Sequence, residues 1–371
     1  MRRIYADHNA TTPLDPDALA AMLPYFANHY GNASSVHLEG REARAAVDAA
    51  RVKLAGLLGA QESEIIFTGG GTESDNTAIF GAPPGHLITS ASEHHAVLHA
   101  CRRRPDVTVL PVDSAGLVDP DDLRRAIRPD TVLVSIMSAN NETGVVQPIR
   151  ELAGICRERG VLFHTDAVQS FGKVPVDVNQ WGVDLLSIAA HKFYGPKGVG
   201  ALFIRRGTKL TPLLHGGSHE NERRAGTENV PGIVGLAKAA ELAVAKMEAE
   251  SARLFQLTER LATAIAQSIP GAHRNGHPRL RVPNTVNFSF DGCTFEGLLL
   301  GLDLEGIAVS SGSACAVGSL EPSHVLLAMG VPRPLARAAV RFSLGQSNTE
   351  ADVEEILAAV QRVVQRLRAF R

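Results

Sequence analysis

The sequence predicts an α/β fold, with a mostly parallel central sheet in a large domain and a second, smaller α+β domain. Short β-rich runs alternate with helical patterns from about residue 64 to residue 205, which is typical of a parallel sheet covered by helices. Several of these runs are apolar without alternation, as expected for strands buried on both faces. After about residue 235 this alternation ends, and a chain of 371 residues is long enough for two domains.

The large domain is predicted to contain a series of short strands with helical segments, such as Ile149–Arg159, between them. The predicted strands are Glu64–Thr68, His86–Thr89, Val107–Val112, Thr131–Met137, Val161–His164, Val183–Ile188 and Val199–Arg205.

The smaller domain is predicted to follow a long helix rich in Ala, Glu, Leu and Lys. Its elements are a helix over Val234–Ile269, a strand at Thr285–Phe290, a helix near Glu296–Asp303 and a strand at Ile307–Ser310. The segment Ser347-Asn348-Thr349-Glu350 reads as a capping box at the start of the last helix. We therefore assign residues 15–250 to the large domain, and residues 1–14 and 251–371 to the smaller domain, which includes the loop around Cys315.

Composition and charge exclude several classes of protein. A net charge of -2 and 20% charged residues give no field that would attract nucleic acid or an anionic membrane. No apolar run is long enough to cross a bilayer and the N-terminus becomes polar at once, so we expect a cytoplasmic protein. The four cysteines have no C-x-x-C spacing, and His95 and His99 have no H-E-x-x-H context, so no metal site is predicted.

A glycine-rich segment, Gly69-Gly70-Gly71-Thr72, follows the first predicted strand and opens a helix. Glycines let the backbone approach a ligand closely, and a helix N-terminus offers free N–H groups to an anion. No Gly-Lys-Ser/Thr follows, so the segment is not a P-loop. It reads either as a phosphate cradle or as an ordinary βα turn capped by Thr72.

Two ionisable residues stand where further predicted strands end. Asp166 follows the run VLFHT, where it can either pair with a ring nitrogen of a ligand or cap a helix. Lys192 ends an apolar strand; it is either a nucleophilic amine whose pKa is lowered by apolar surroundings or a surface loop lysine. With the cradle, they supply a phosphate site, a partner for a ring nitrogen and an aldehyde-binding amine, and Gln169 lies one turn further on.

Other motifs follow one another along almost the whole chain. They are Asp7-His8-Asn9-Ala10-Thr11-Thr12-Pro13, Tyr30-Gly31-Asn32, Gly71-Thr72-Glu73-Ser74-Asp75-Asn76, Glu93-His94-His95-Ala96-Val97, Asn140-Asn141-Glu142-Thr143-Gly144, Asp166-Ala167-Val168-Gln169-Ser170, His191-Lys192, Gly195-Pro196-Lys197-Gly198, Arg224-Ala225-Gly226-Thr227, Ser311-Gly312-Ser313-Ala314-Cys315 and Arg341-Phe342-Ser343-Leu344-Gly345. In this order they resemble the cysteine desulfurases of the NifS/IscS kind, which are fold-type I, class-V-aminotransferase-like enzymes dependent on pyridoxal 5′-phosphate (PLP).

The resemblance implies a role for each matching position. Lys192, His94 and Cys315 would be catalytic, with Cys315 as the sulfur acceptor and His94 stacked on the PLP ring. The PLP-binding residues would be Gly71, Thr72, His94, Asp166, Gln169, His191 and Lys192, with Thr227 reaching the phosphate of the neighbouring subunit in a homodimer. Asn32, Asn141 and Arg341 would bind the substrate. Asn141 and Arg341 would hold its carboxylate, Arg341 through a bidentate pair of hydrogen bonds.

The sequence departs from the family pattern at two positions. Relatives usually carry Ser or Thr where this chain has Ala189, and that hydroxyl normally helps to hold the PLP phosphate. Ala33 replaces a common proline, which should only loosen a loop. The first departure predicts weaker PLP binding.

The implied activity is conversion of L-cysteine to L-alanine, with the sulfur left on Cys315 as a persulfide. A partner protein would then take the sulfur for iron–sulfur cluster assembly or tRNA thiolation. The alternatives are another PLP reaction on this fold, such as selenocysteine cleavage or transamination, and a scaffold that only binds partners. The small residues beside Cys315 suit the exposed, mobile loop that a travelling thiol needs, and this favours the desulfurase.

Overall fold

A seven-stranded sheet forms the centre of the large domain. The computed structural model describes residues 2–311 and 321–369. The strands are β2 Ile65–Thr68, β3 His86–Ser90, β4 Val107–Leu110, β5 Thr131–Ser135, β6 Leu162–Asp166, β7 Leu185–Ala189 and β8 Gly200–Ile204. Their order is β2-β8-β7-β6-β5-β3-β4. Neighbours from β7 to β4 are parallel, and only β8 runs antiparallel to its neighbours β7 and β2. The mostly parallel sheet is therefore confirmed.

Helices pack on this sheet and join it to the C-terminal part of the chain. They are α1 Pro16–Met22, α2 Pro24–Ala27, α3 Leu38–Leu58, α4 Gly71–Gly81, α5 His95–Cys101, α6 Pro120–Ala126, α7 Ile149–Glu158, α8 Val178–Trp181 and α9 Val230–Ser268. Helix α9 contains 39 residues and begins four residues earlier than predicted. Pro231 and Gly232 are typical of a loop, but here they lie in the first turn of the helix. The N–H that proline lacks has no hydrogen-bond partner within the helix at this position, and the Asn229 side chain caps the helix.

A three-stranded antiparallel sheet forms the centre of the C-terminal part. Its strands are β9 Ala272–Asn275, β10 Thr285–Phe290 and β12 Ala339–Ser343, with β10 in the middle. The N-terminal strand β1 Ile4–Tyr5 pairs in parallel with β11 Ile307–Ala308. The described helices of this part are α10 Phe295–Leu304, α11 His324–Ala328, α12 Arg333–Ala336 and α13 Glu350–Ala369.

Helix α9 contributes to two hydrophobic clusters. Its first half, up to Ala243, packs with the helices and strands of the large domain. Its second half, from Leu254, packs with β10, β12, α13 and the N-terminal residues Ile4 and Ala6. The division of the chain near residue 250 stays a prediction.

The cap of helix α13 differs from the predicted one. Thr349 and Asp352 cap each other reciprocally: the Thr349 N–H donates to Asp352 Oδ2 at 2.9 Å, and the Asp352 N–H donates to Thr349 Oγ1 at 3.3 Å. The Ser347–Glu350 capping box is therefore wrong by two residues, because Glu350 pairs with Arg260 at 2.7 Å instead. Within residues 2–311 and 321–369, no helix is long and apolar enough to cross a membrane.

Candidate active site

A cavity of about 250 Å³ lies at the carboxyl ends of the parallel strands of the large sheet. Ligands of open α/β sheets bind at this edge, because loops from neighbouring parallel strands converge there. The described lining residues are Asn9, Ala10, Gly71, Thr72, Asp75, His94, His95, Met137, Asn141, Glu142, Asp166, Val168, Gln169, Ala189, His191, Lys192, His324 and Arg341. Segments that are far apart in the sequence therefore meet in one site.

The N-terminus of α4 forms one wall of this cavity. Gly70 has φ +146° and Gly71 is the first helical residue. A Cβ on Gly71 would lie 2.8 Å from Val168 Cγ2 and 3.5 Å from Ala189 Cβ. The Gly71 backbone therefore lies closer to Val168 than a residue with a side chain would allow. The first N–H groups of the helix, with Thr72 beside them, make this wall suitable for an anion such as a phosphate.

Two buried carboxyl groups, those of Asp166 and Asp75, line the cavity. Asp166, at the end of β6, is 5% exposed, and its Oδ1 accepts a hydrogen bond from the Val168 N–H at 2.8 Å. Burial raises the pKa of Asp166 to about 6, although this N–H and the Lys192 ammonium oppose the shift. Asp75 is 1% exposed, and burial and the nearby Asp166 raise its pKa well above the usual range. A cation beside Asp166, such as a protonated ring nitrogen, would stabilise its charged form.

Lys192 faces the N-terminal segment across the cavity. It ends the short 3₁₀ turn Ala190–Lys192, which follows β7 directly. Its Nζ donates to the carbonyl oxygens of Asn9 at 2.6 Å and Ala10 at 2.8 Å. These two carbonyl acceptors hold the amine in place at the cavity, as suits an amine that must react.

His94 is a neutral ring in this site. As the N-cap of α5, its Nδ1 accepts a hydrogen bond from the Ala96 N–H at 3.1 Å. Burial, together with the nearby charge of Lys192, lowers the pKa of His94 to about 4. The proton of the neutral ring therefore lies on Nε2, which is the nitrogen left for exchanging protons.

Arg341 is 1% exposed on β12 and points to the same cavity. Its Nη2 pairs with Asp7 Oδ1 at 2.6 Å, and its Nη1 donates to the Asn141 carbonyl at 2.8 Å. The backbone N–H of Arg341 donates to the Ser310 carbonyl at 2.7 Å, immediately before the sequence that contains Cys315. Arg341 therefore connects the proposed substrate site to the start of that sequence.

The described lining includes most of the predicted site residues, but not all. Gly71, Thr72, Asp166, Gln169, His191, Asn141 and the residues above are present. Asn32 and Thr227 are exposed and do not line the cavity. Cys315 lies outside the described residues. Cys101, Cys156 and Cys293 are buried. Burial raises the pKa of Cys101 to about 12 and also raises the pKa of Cys156, so these two thiols are poor nucleophiles.

Sequence reasoning assigned no role to several lining residues. Asp75 stands one helical turn after Thr72, so the i, i+3 spacing on α4 could have placed it in the site. Glu142 is buried and accepts a hydrogen bond from the Ser323 hydroxyl at 2.5 Å. His324 lies next to Ser323 and its Nε2 is 2.9 Å from the Glu93 carbonyl. These contacts join segments that are 181 and 231 residues apart, which no local pattern predicts.

Comparisons with known proteins identify the family of this chain. The family model described as aminotransferase class-V matches residues 4–356. The chain is 52% identical to "Cysteine desulfurase IscS" of Dictyoglomus turgidum, over 100% of this chain and 96% of that one. It is also 52% identical to the protein of the same name from Methanosarcina thermophila, over 99% and 93% of the two chains. This chain belongs to the cysteine desulfurases, within the class-V aminotransferase family.

Solved structures show that the cysteine desulfurase fold extends over nearly the whole chain. The structure titled "NIFS-LIKE PROTEIN" has a TM-score of 0.91 and 38% identity, and covers 98% of this chain and 99% of that one. "SspA in complex with cysteine" has a TM-score of 0.82 and 38% identity, over 92% and 98% of the two chains.

Cysteine desulfurases depend on PLP, and the cavity of this desulfurase suits that cofactor. The α4 N-terminus fits the phosphate and buried Asp166 fits the ring nitrogen. Lys192, whose Nζ donates to two backbone carbonyls, fits the aldehyde. The residues present therefore match the three polar ends of PLP.

Proposed function

We propose that this cysteine desulfurase converts L-cysteine to L-alanine with PLP on Lys192, and that it leaves the sulfur on Cys315 as a persulfide. The observation that carries the proposal is the meeting of Lys192, Asp166, His94 and Arg341 in one cavity. These residues supply an amine, a carboxylate, a neutral aromatic ring and a cation, which match the groups of PLP and of an amino acid.

Each residue has a defined task in this proposal. Bound PLP supplies an electron sink for the carbon next to the substrate amine. Asp166 keeps the ring nitrogen protonated, and the face of His94 stacks on the ring. Arg341 holds the substrate carboxylate through two parallel hydrogen bonds. Lys192 then accepts the α proton at Nζ and returns it during product formation.

The sulfur step transfers one atom without any external oxidant. The Cys315 thiolate attacks the substrate sulfur, a sulfur–sulfur bond forms, and the carbon–sulfur bond breaks with its electron pair going to carbon. Protonation of that carbon completes L-alanine. The sum is L-cysteine plus the Cys315 thiol giving L-alanine plus the Cys315 persulfide, so atoms and electrons balance.

We further propose a homodimer in which Asn32 and Thr227 serve the partner's site. Both are exposed and lie outside this chain's own cavity. Arg44 connects their neighbourhoods, because it donates to the Ala33 carbonyl at 3.0 Å and pairs with Glu228 at 2.5 Å. Large apolar residues are exposed along residues 19–38, the stretch that includes Asn32, and a second copy would cover this surface. They are Leu19, Leu23, Phe26, Tyr30, Val36 and Leu38.

Subunit mixing tests this arrangement. In a hybrid of Lys192→Ala and Thr227→Ala subunits, one site receives its lysine and its partner threonine intact. That site should bind PLP as tightly as the parent if Thr227 acts across the interface. Weak PLP binding in the hybrid would mean that Thr227 acts within its own subunit.

The persulfide would pass to an acceptor protein, either an iron–sulfur scaffold or a tRNA-thiolation protein. We infer no direct contact with nucleic acid. A cytoplasmic location stays a prediction.

Product analysis tests the proposed activity. PLP-loaded protein with L-cysteine and a reducing thiol should give L-alanine and sulfide in equal amounts. Lys192→Ala should abolish both products, whereas Lys197→Ala, an exposed lysine five positions away, should retain them. Pyruvate in place of alanine would indicate a lyase that eliminates sulfide, and no product at all would indicate a binding scaffold.

A further inference from the structure

A second, smaller cavity of about 40 Å³ lies on the other side of Lys192. Lys192 lines both cavities, and the small one also contains Lys173 and His8. A second lysine so close to the reactive amine has no role in the mechanism above.

A chain of hydrogen bonds connects the two lysines. Lys173 Nζ donates to Gln169 Oε1 at 2.8 Å, and Gln169 Nε2 donates to the Asn9 carbonyl at 2.9 Å. The same carbonyl accepts the bond from Lys192 Nζ at 2.6 Å. Because an ammonium only donates, it fixes which end of the Gln169 amide is oxygen. The NH₂ end then lies toward Asn9 and the active-site cavity, which Gln169 lines.

The charges around Lys173 are mostly positive. Burial, together with the nearby charges of Lys192 and Arg341, lowers the pKa of Lys173 to about 7. On the other faces of the cavity lie His8, whose pKa falls to about 4 through burial and Lys173, and Tyr194, whose pKa rises to about 12 through burial. Two charged residues of α9, Lys246 and Glu250, also line the cavity, and Glu250 pairs with Arg253 at 2.8 Å.

The backbone of Lys173 is held as well, since the Ser251 hydroxyl donates to its carbonyl at 2.7 Å. Helix α9 therefore fixes the position of the Lys173 backbone through Ser251. Among the residues that the structure describes, no carboxylate forms an ion pair with this buried cation, and its side chain donates to Gln169 instead.

We propose that Lys173 is a positioning residue that orients the Gln169 amide, so that its NH₂ group donates to the ring hydroxyl of PLP. This rests on the proposed function, because Gln169 and Lys192 are taken to hold PLP. Lys173 acts through Gln169 and does not touch the cofactor.

The proposal predicts a spectroscopic change. In Lys173→Met the amide is free to turn, so the ring oxygen loses a donor, and Lys192 loses a positive neighbour. Both changes favour the protonated form of the nitrogen that links PLP to Lys192, so they raise the pKa of this nitrogen by about 1 unit. The absorbance of bound PLP, followed against pH, reports this pKa directly and does not require turnover.

Four matched variants make the experiment decisive. Lys173→Arg, which keeps the cation, should keep the parent midpoint, and so should Lys246→Met on the rim of the same cavity. Lys173→Gln provides a polar substitution if Lys173→Met does not fold. In a Gln169→Leu background, Lys173→Met should shift the midpoint by less than half as much, because the two residues act as a unit.

The outcomes separate this inference from the proposed function. A parent protein without an absorbance band that responds to L-cysteine would refute the function. A parent with that band, but with the same midpoint in folded Lys173→Met or Lys173→Gln, would refute the role of Lys173. An equal shift with and without Gln169 would also refute it, because Lys173 would then act through its charge alone.

Discussion

Restoring a hydroxyl at position 189 should slow the loss of PLP. Ala189 ends β7 and is 2% exposed, and its Cβ lies 3.5 Å from where a Cβ on Gly71 would be. An Oγ in Ala189→Ser would therefore point to the wall that we assign to the phosphate. A hydrogen bond to a charged group contributes about 1.5 kcal/mol or more, and 1.4 kcal/mol corresponds to roughly a tenfold change in an equilibrium constant.

The assay is the rate at which bound PLP leaves after dilution into a PLP trap. We expect this rate to be on the order of tenfold lower in Ala189→Ser than in the parent. Ala189→Thr and Ala189→Val form a matched pair of nearly equal shape, and only the threonine should slow release. An unchanged or faster release from Ala189→Ser, or an equal effect of threonine and valine, would show that position 189 does not contact the phosphate.

Three further predictions concern the charged residues of the cavity. Borohydride reduction followed by peptide mapping should label Lys192 and not Lys173 or Lys197, and Lys192→Ala should lose all turnover, because no other lysine of residues 2–311 and 321–369 lines the active-site cavity. Arg341→Lys should raise KM for L-cysteine at least tenfold, roughly the loss of one charged hydrogen bond, with a smaller effect on kcat; an unchanged KM would remove Arg341 from the substrate site. Asp166→Asn should stabilise the PLP-free protein at pH 7 by roughly 2 kcal/mol, as measured by urea unfolding. Burial raises the pKa of Asp166 to about 6, so the folded state binds the extra proton between about pH 4 and 6, and the parent loses stability as pH rises through that window. A parent and variant with the same pH dependence would contradict this.

Residues placed by strand ends were predictable from the sequence. Asp166 and Lys192 follow apolar strands, and the sheet brings both strand ends to one edge. Gly71 could be predicted as a candidate for the same reason, since a glycine-rich turn that opens a helix after a strand can bind an anion, although an ordinary βα turn has the same pattern. Periodicity also identified the buried strands, although it does not show that β8 runs antiparallel to β7.

Contacts between distant segments could not be predicted in this way. Asn9 accepts hydrogen bonds from both Lys192 and Gln169, across more than 150 residues of sequence. Nothing in the local pattern around Asn9 or Lys173 indicates that they meet. The predictions of two helix starts failed for a different reason. Pro231 and Asn348 are compatible with both a loop and a helix N-terminus, and the caps made by Asn229 and by Thr349 with Asp352 decide between them.

The central claim is that Cys315 accepts the sulfur, and the Cys315→Ala variant tests it most directly. This change leaves Lys192, Asp166 and Arg341 in place, so L-cysteine should still alter the absorbance of bound PLP. Alanine release should collapse and the mass of a persulfide should be missing, because a thiol in solution has a much lower effective concentration than a tethered one. Cys293→Ala, which removes a buried thiol, should behave as the parent. Alanine formation by Cys315→Ala at the parent rate would contradict the persulfide mechanism.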